Sequence, residues 1–395
     1  MELLIKGARV VDWRGDFYGD IYIKNGLINE IGEDLKKDCK VIDGQGKVVM
    51  PAFVDLHVHF REPGFTYKED IESGSRAAVR GGYTAVNLMA NTNPICSNME
   101  VVNEVITRGE KINLVDIHQT VSITKDFDGK TISHIDTLED KVKIMSEDGK
   151  EVMNSSTMLN AMVKAKDKNI IVMCHCENEE LVALDTRLSE NTMTWRNIAL
   201  AKYTKCPIHI AHVSTKEAME YIIDAKKGGY EITCEVAPHH IALTDEVEYR
   251  VNPPIRKEED VNFLIKAIQD GWVDAIATDH APHSHEDKLK GAPGISGIET
   301  AFSICYTKLV VEEGLSLSKL SEIMSKNPSN IMGLNKGEIK IGLEGDLVII
   351  DLEKEIEIQG KKFISKGKNT PFDGMKFKGQ ILKTIKGGRI VYDYR

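Results

Sequence analysis

The sequence predicts a parallel α/β architecture joined to a small β unit, on three observations. From residue 51 onward, apolar runs of five to seven residues alternate with longer segments of helical period, and eight such runs can be counted. In the first fifty residues, apolar positions instead partly alternate with polar ones, and Gly or Asn-Gly turns interrupt them. That short-strand pattern returns after about Leu334, so the two ends of the chain resemble each other more than either resembles the middle.

Taken in order, LLIKGARVVD, DIYIKNGLINEIG and KVIDGQGKVVMP read as short strands separated by turns. The eight central runs follow at AFVDLHV, YTAVNLM, INLVDIHQ, VKIMS, IIVMCH, PIHIAHV, EITCEV and VDAIATD. Helical periodicity occupies 68–80, 155–167, 215–227, 258–269 and 297–313 between and after them, the third opening on a capping pattern at Ser214. Eight strands each followed by a helix is the count of a (β/α)8 barrel, and a doubly wound open sheet produces the same local alternation. The last strands lie in GEIKIGLEGDLVIIDL and QILKTIKGGRIVYDY, which predicts one β domain built from 1–50 and 338–395, interrupted by a catalytic-sized unit at 51–337.

A chain of 395 residues, 42% hydrophobic, buries a substantial core. Lys and Arg number 51 against 61 Asp and Glu, and the resulting charge of -10 argues against a partner recognised through nucleic acid phosphates or an anionic membrane surface. The seven cysteines are scattered with no CxxC pair, so neither a disulfide framework nor a zinc ribbon is written here, and a reducing cytoplasm is the expected compartment. MELLIKGARVVDWRGD lacks the apolar core of a signal peptide. The longest uncharged run, 81–99, holds four Asn, two Thr, a Pro and two Gly, which excludes a membrane span there.

Chemistry concentrates where the central runs end. In Asp55-Leu56-His57-Val58-His59-Phe60-Arg61, the two-residue period of a strand predicts Asp55, His57, His59 and Arg61 on one side and Leu56, Val58 and Phe60 on the other. Two imidazoles on one face of a rigid strand suit a divalent metal. His175 after IIVMC, His212 in IAHVST, and Asp279 and His283 after DAIAT stand at corresponding ends of other runs, so the candidates converge on one rim. Cys174 and Cys176 flank His175 but alternate away from it, which argues against their being ligands.

DLHVHFREPG (55–64), MANTNP (89–94), SEDGKEVM (146–153), HCEN (175–178), HVST (212–215), EVAPHH (235–240), VNPPIR (251–256) and ATDHAPH (277–283) together resemble the type I dihydroorotases of the amidohydrolase superfamily, over nearly the full length. The resemblance implies a (β/α)8 TIM-like barrel with a small β-sandwich domain built from both chain termini. It implies two Zn2+ per chain: His57, His59 and Asp279 on one, His175 and His212 on the other, and Asp148 of the SEDG segment as the bridge. Hydantoinases and other relatives bridge with a carbamylated lysine on the fourth strand, and Lys143 lies on that run. Asp279 would also be catalytic, taking a proton as the tetrahedral intermediate forms and returning it to the departing nitrogen.

The implied reaction is the reversible closure of N-carbamoyl-L-aspartate to L-dihydroorotate in pyrimidine synthesis. Arg61 offers a fork of donors for the substrate carboxylate; by resemblance Asn91 and His283 complete that grip, His59 and Asn252 contact the substrate, and Pro293 and Gly294 close over it. His239 and His240 read as supports for the ligands. A homodimer is the family's usual assembly. The stretch 283–293 is shorter than in related type I enzymes, and Gly-Ile follows Pro293 where Phe-Gly is common, so of the implied site residues Pro293 and Gly294 are where this chain departs from the pattern; His285 in this loop reads equally as a solvated side chain or as part of the site. A hydantoin-type substrate would not require the Arg61, Asn91 and His283 set, and a catalytically silent scaffold for a transcarbamoylase would not need to keep six ligand-competent side chains.

Overall fold

The computed structural model describes residues 2–394 and contains sixteen strands. Five open the chain: β1 (Glu2–Asp12), β2 (Gly15–Lys24), β3 (Leu27–Gly32), β4 (Lys40–Asp43) and β5 (Val48–Pro51). Eight shorter ones follow: β6 (Phe53–Val58), β7 (Tyr83–Leu88), β8 (Asp116–Gln119), β9 (Ile144–Ser146), β10 (Ile171–Cys174), β11 (Ile208–Ile210), β12 (Ile232–Val236) and β13 (Ala275–Ile276). The chain ends on β14 (Leu347–Glu357), β15 (Lys376–Lys386) and β16 (Arg389–Asp393).

β6, β7 and β8 pair in parallel, as do β9 to β13. Parallel bridges Val121–Met145 and Val58–His280 join the two groups at both seams, so the eight strands close into a barrel. Its helices include Ile71–Arg80, Ser155–Asp167, Lys216–Lys227 and Glu258–Gln269, close to the spans their periodicity predicts. The expected regular alternation fails at two places. Between β8 and β9 only two short 3-10 turns occur: Ile123, Ile135 and Leu138 are buried, but left-handed backbone at Asp126, Phe127 and Gly129 breaks any helix between them. The 297–313 segment is an α-turn, Ala301–Cys305, that continues as a π-helix, Tyr306–Glu312.

The predicted cap at Ser214 is also displaced by one residue. Thr215 caps the helix by accepting from Ala218 N, while the Ser214 hydroxyl bonds the buried carboxylate of Glu190, which Arg256 also holds at 3.0 Å. A charged acceptor in the interior makes the stronger claim on that hydroxyl.

Strands from both ends form one eight-stranded sheet in the order β16-β15-β14-β5-β1-β2-β3, with β4 beside β1. Alternation along β14 explains its position: Val348 and Ile350 join the core shared with the barrel, whereas Leu347 and Ile349 join a separate cluster with Leu3, Ile5, Ile21 and Ile23. Ile23 on β2 lies against Gly345, where an added Cβ would sit 2.5 Å from its Cγ2. Contact between strands so far apart in the sheet order means that the sheet curls over into a sandwich, and each fully buried Ile or Leu there contributes about 1.5–3 kcal/mol. Residues 358–375, between β14 and β15, leave the sheet and pack on the barrel, with Ile358, Phe363 and Phe372 against Leu243, Val251 and Ile295. Among the described residues, no helix is long and apolar enough to cross a membrane.

Candidate active site

Strict alternation does not survive to the rim. The pairing of β6 with β7 shifts register between Asp55 and Val58, and Leu56 joins a cluster with Ile144, Met173 and Ala275 while Val58 and Phe60 join the main core. The Asp55 carboxylate is drawn onto Thr278 N and Oγ1 at the barrel wall, and burial lifts its pKa to about 7. Beyond the strand ends, Arg61, Cys176, His212 and Asp279 adopt left-handed backbone, with φ of 60°, 56°, 32° and 46°. Non-glycine residues enter that region uncommonly. Here the turns occur at strand ends that carry site residues.

His57, His59, Asp148, His175, His212 and Asp279 converge as the sequence predicts. The Asp148 carboxylate stands among four imidazoles: 3.3 Å from His57 Nε2, 3.4 Å from His59 Nε2, 3.1 Å from His175 Nδ1 and 3.7 Å from His212 Nε2. Asp279 Oδ1 lies 3.1 Å from His59 Nε2 and 3.6 Å from His57 Nε2. His175 Nδ1 and His212 Nε2 face each other at 2.9 Å. Lys143, by contrast, precedes β9 at the end opposite Asp148, where its charge acts on His118. Cys174 and Cys176 are buried in the main core.

The donor set fits divalent metal. His57 Nδ1 donates to Glu235 Oε1 at 2.8 Å, which leaves the Nε2 lone pair, fully buried and without a hydrogen-bond partner, directed at two carboxylates. His59 Nδ1 likewise donates to Asn91 Oδ1 at 2.9 Å, and its Nε2 faces Asp279 and Asp148. Lone pairs aimed at carboxylate oxygens repel unless a cation lies between them. The same surroundings show in the proton affinities: burial disfavours charge on His57, but Asp148 and Glu235 outweigh it and hold its pKa above the ordinary value. Burial likewise opposes ionisation of Asp148, yet His57, His175 and His212 keep its carboxyl well below the usual carboxylate range.

A cleft of about 180 Å³ opens onto the cluster, lined by His59, Arg61, Asn91, Asp148, His175, His212, Asn252, Asp279, His283, Pro293 and Gly294, with Gly149 and Ala281. His57 lies behind this surface, fully buried. Arg61 donates from Nε to Pro282 O at 3.4 Å and approaches His283 Nε2 at 3.3 Å, and no acid among the described residues lies within ion-pair distance of it. His283 is pushed down to about 3 by burial and by Arg61 and Lys68, so it is neutral; Nε2–H donates to Pro293 O at 2.9 Å. Asn91 touches His59 and Asp148, and Asn252 donates to Glu177 Oε2. His240 bonds Pro253 O beside Asn252, and His285 is exposed on a short helix, His285–Leu289.

Three contributors were not singled out from the sequence. Glu235, held at about 2 against its burial by His209 and His57, orients His57, and its other oxygen meets His209 Nε2 at 3.0 Å. Lys68 brings a second cation to the Arg61 corner, its Nζ 3.4 Å from His283 Nδ1. Asn369, in the segment that returns from the β domain, uses its whole amide: Oδ1 accepts from His283 N and Ser296 Oγ, and Nδ2 donates to Ala281 O and Gly294 O. That amide fastens the wall where Gly294 runs at φ 134°, with room for no Cβ because Ala281 Cβ would lie 2.6 Å from it.

The Amidohydrolase family model matches residues 48–391 of the chain. A dihydroorotase of Clostridium botulinum (strain Eklund 17B / Type B) is 56% identical over 396 residues, spanning 99% of this chain and 100% of that protein. A dihydroorotase of Acetivibrio thermocellus is 39% identical over 419 residues and covers 98% of each. Among solved structures, the L-hydantoinase (dihydropyrimidinase) from Arthrobacter aurescens superposes with a TM-score of 0.92 over 99% of this chain and 96% of that one, at 24% identity. The dihydropyrimidinase from Brevibacillus agri NCHU1002 gives 0.88 at 22% identity, over 100% of this chain and 95% of that one. At such identities the two structures speak to the fold, and both share the barrel.

Proposed function

The chain belongs to the amidohydrolase family, and from that premise we propose that it is a dihydroorotase, closing N-carbamoyl-L-aspartate to L-dihydroorotate and reopening it on the route to pyrimidine nucleotides. Full-length identity to dihydroorotases supports the activity. Within the site, the observation that selects this substrate is Arg61: a guanidinium without an acid partner, opening on the same cleft as the His and Asp cluster. A substrate with a carboxylate needs such a group, and a neutral hydantoin ring does not.

His57, His59 and Asp279 would hold one Zn2+ and His175 and His212 a second, with Asp148 reaching both. Bound there, the two ions would bring the pKa of water toward about 7 and polarise the amide carbonyl. Asp279 takes a proton at Oδ2, because Oδ1 faces His57 and His59. In the hydrolytic direction it passes that proton to the ring nitrogen as the C–N bond breaks; in the synthetic direction it helps water leave as the carbamoyl nitrogen attacks the side-chain carboxyl carbon. Arg61 holds the α-carboxylate, with Asn91 and His283 beside it, Asn252 and His59 contact the substrate, and Pro293 and Gly294 form the wall above. The chain works in the cytoplasm, in keeping with seven free cysteines, six of them buried, and as a homodimer.

Purified protein supplied with zinc is expected to interconvert the two compounds, and a substrate panel in which hydantoin turns over faster than dihydroorotate would reverse the assignment. Arg61→Met should raise KM for dihydroorotate by about 30-fold or more, the loss typical of an unpaired carboxylate, with a smaller change in kcat. Asn369→Asp keeps the acceptor but removes two donors worth about 0.5–1.5 kcal/mol each. It should raise KM several-fold at unchanged metal content, as steady-state kinetics with metal analysis would reveal.

A further inference from the structure

Past His175 the chain turns at once. Cys176 adopts left-handed backbone at φ 56°, and Glu177 comes back beside the His175 ring, its Oε2 4.0 Å from Nε2. The backbone on either side of Glu177 is pinned: Cys176 N donates to the buried Glu151 Oε2 at 3.2 Å, and Asn178 N donates to Ser189 Oγ at 2.8 Å. The same Oε2 of Glu177 accepts from Asn252 Nδ2, 75 residues further along the chain. No Lys or Arg among the described residues lies within ion-pair distance of Glu177. An acid beside a cleft that takes an anion works against binding, so one held this firmly without a cation calls for a role other than a salt bridge.

We propose that Glu177 is a positioning residue for substrate recognition: it holds the Asn252 amide so that Oδ1, and never Nδ2, is offered to the substrate, which meets it with an N–H. An ionised carboxylate only accepts hydrogen bonds, so of the two ends of an Asn amide it engages only Nδ2. With Nδ2 committed, the oxygen of the planar amide faces elsewhere. No donor among the described residues reaches Asn252 Oδ1, and Asn252 lines the cleft while Glu177 does not. Oδ1 is therefore the polar atom left for a ligand, and the charge of Glu177 is set back from the lining.

The support below the side chain is equally specific. His240 Nε2 bonds Pro253 O at 3.0 Å, so the backbone next to Asn252 and its amide are each fixed by a separate contact. An acceptor fixed in advance binds an N–H without the cost of ordering it, and it discriminates against a ligand that leaves it unpaired. Ureide N–H groups are present in both N-carbamoyl-L-aspartate and L-dihydroorotate, so one fixed acceptor serves both directions of the reaction. An amide free to turn over would set its own N–H groups against those of the substrate.

The inference rests on the proposed function, in which Asn252 contacts the substrate, and a cycle of variants in the zinc-supplied full chain tests it. Glu177→Ala should raise KM for dihydroorotate about 5- to 10-fold with kcat within about two-fold, the size of one lost hydrogen bond. In an Asn252→Ala background it should change KM no further, because no amide is left to hold. Zinc content should match the wild type throughout. Asn252→Asp sets two carboxylates against each other and should also raise KM, whereas the exchange Glu177→Gln/Asn252→Asp returns a donor to one side and an acceptor to the other and should bring KM back to within about three-fold of wild type. That exchange keeps size and total charge, so it also decides the matter if Glu177→Ala does not fold. Additive effects in the cycle, or no recovery in the exchange, would overturn the inference, and zinc lost from Glu177→Ala would overturn it by assigning Glu177 to His175 instead. A raised KM in Asn252→Ala beside an unchanged one in Glu177→Ala would overturn this inference alone. An unchanged KM in Asn252→Ala would remove the Asn252 contact from the proposed function and this inference with it.

Discussion

Asp279→Ala should lower turnover in both directions by about 10³-fold or more, in protein that still folds, because general acid–base catalysis alone contributes about 10²–10⁴-fold and the same side chain is a proposed metal ligand. The expectation follows from placement. Asp279 stands just past β13 at φ 46°, buried and lining the cleft, with Oδ1 turned to His57 and His59 and Oδ2 in neither of those contacts. No other carboxylate lining the cleft is so arranged: Asp148 has His175 and His212 against one oxygen and His59 against the other. Asp279→Asn separates the two roles, since an amide retains a coordinating oxygen but takes up no proton at neutral pH. Comparable metal content in Asp279→Asn and wild type, with turnover still lost, would assign the defect to the proton. Full activity in either variant would remove Asp279 from the chemistry.

Much of this site was legible because its parts are local. His57 lies on β6 and His59 one residue past its end, and their neighbours Arg61 and Asp55 come with them in sequence. What alternation could not foresee was the register shift within β6 and the left-handed turns at Arg61, His212 and Asp279, which aim these side chains by backbone geometry that non-glycine residues rarely adopt. Glu235 was hidden for a different reason. In EITCEV it reads as the polar partner of an alternating strand, and only closure of the barrel, which brings β12 near β6, sets its carboxylate on His57 Nδ1. Asn369 had no local signal at all, since it acts on His283 from 86 residues away through a segment whose pattern resembles an ordinary loop. The missing helix between β8 and β9 shows the limit from the other side: a strand count can be right where the intervening element is absent.

On the two-zinc reading proposed above, Asp148→Ala is expected to reduce bound zinc to one ion per chain or fewer and turnover by about 10³-fold, whereas Lys143→Ala should leave both nearly unchanged. The contrast comes from charge and reach. Imidazoles ligate a metal without contributing charge, so with Asp279 alone the cluster would offer a single negative charge to two dications, and Asp148 doubles it at a point within 3.7 Å of a nitrogen on every one of the four rings. Lys143 could serve only after carbamylation, and it sits before β9 while the imidazoles gather beyond the strand's other end, three residues away at roughly 3.3 Å per residue. A carbamate would therefore have to span the length of the strand to reach what Asp148 already touches. Metal analysis of the two variants reads the difference without reference to any substrate. Loss of zinc from Lys143→Ala, with zinc kept in Asp148→Ala, would transfer the bridge to the lysine and with it the resemblance to the hydantoinase type of centre; retention in Lys143→Ala leaves the carboxylate as the group that lets two cations share one pocket.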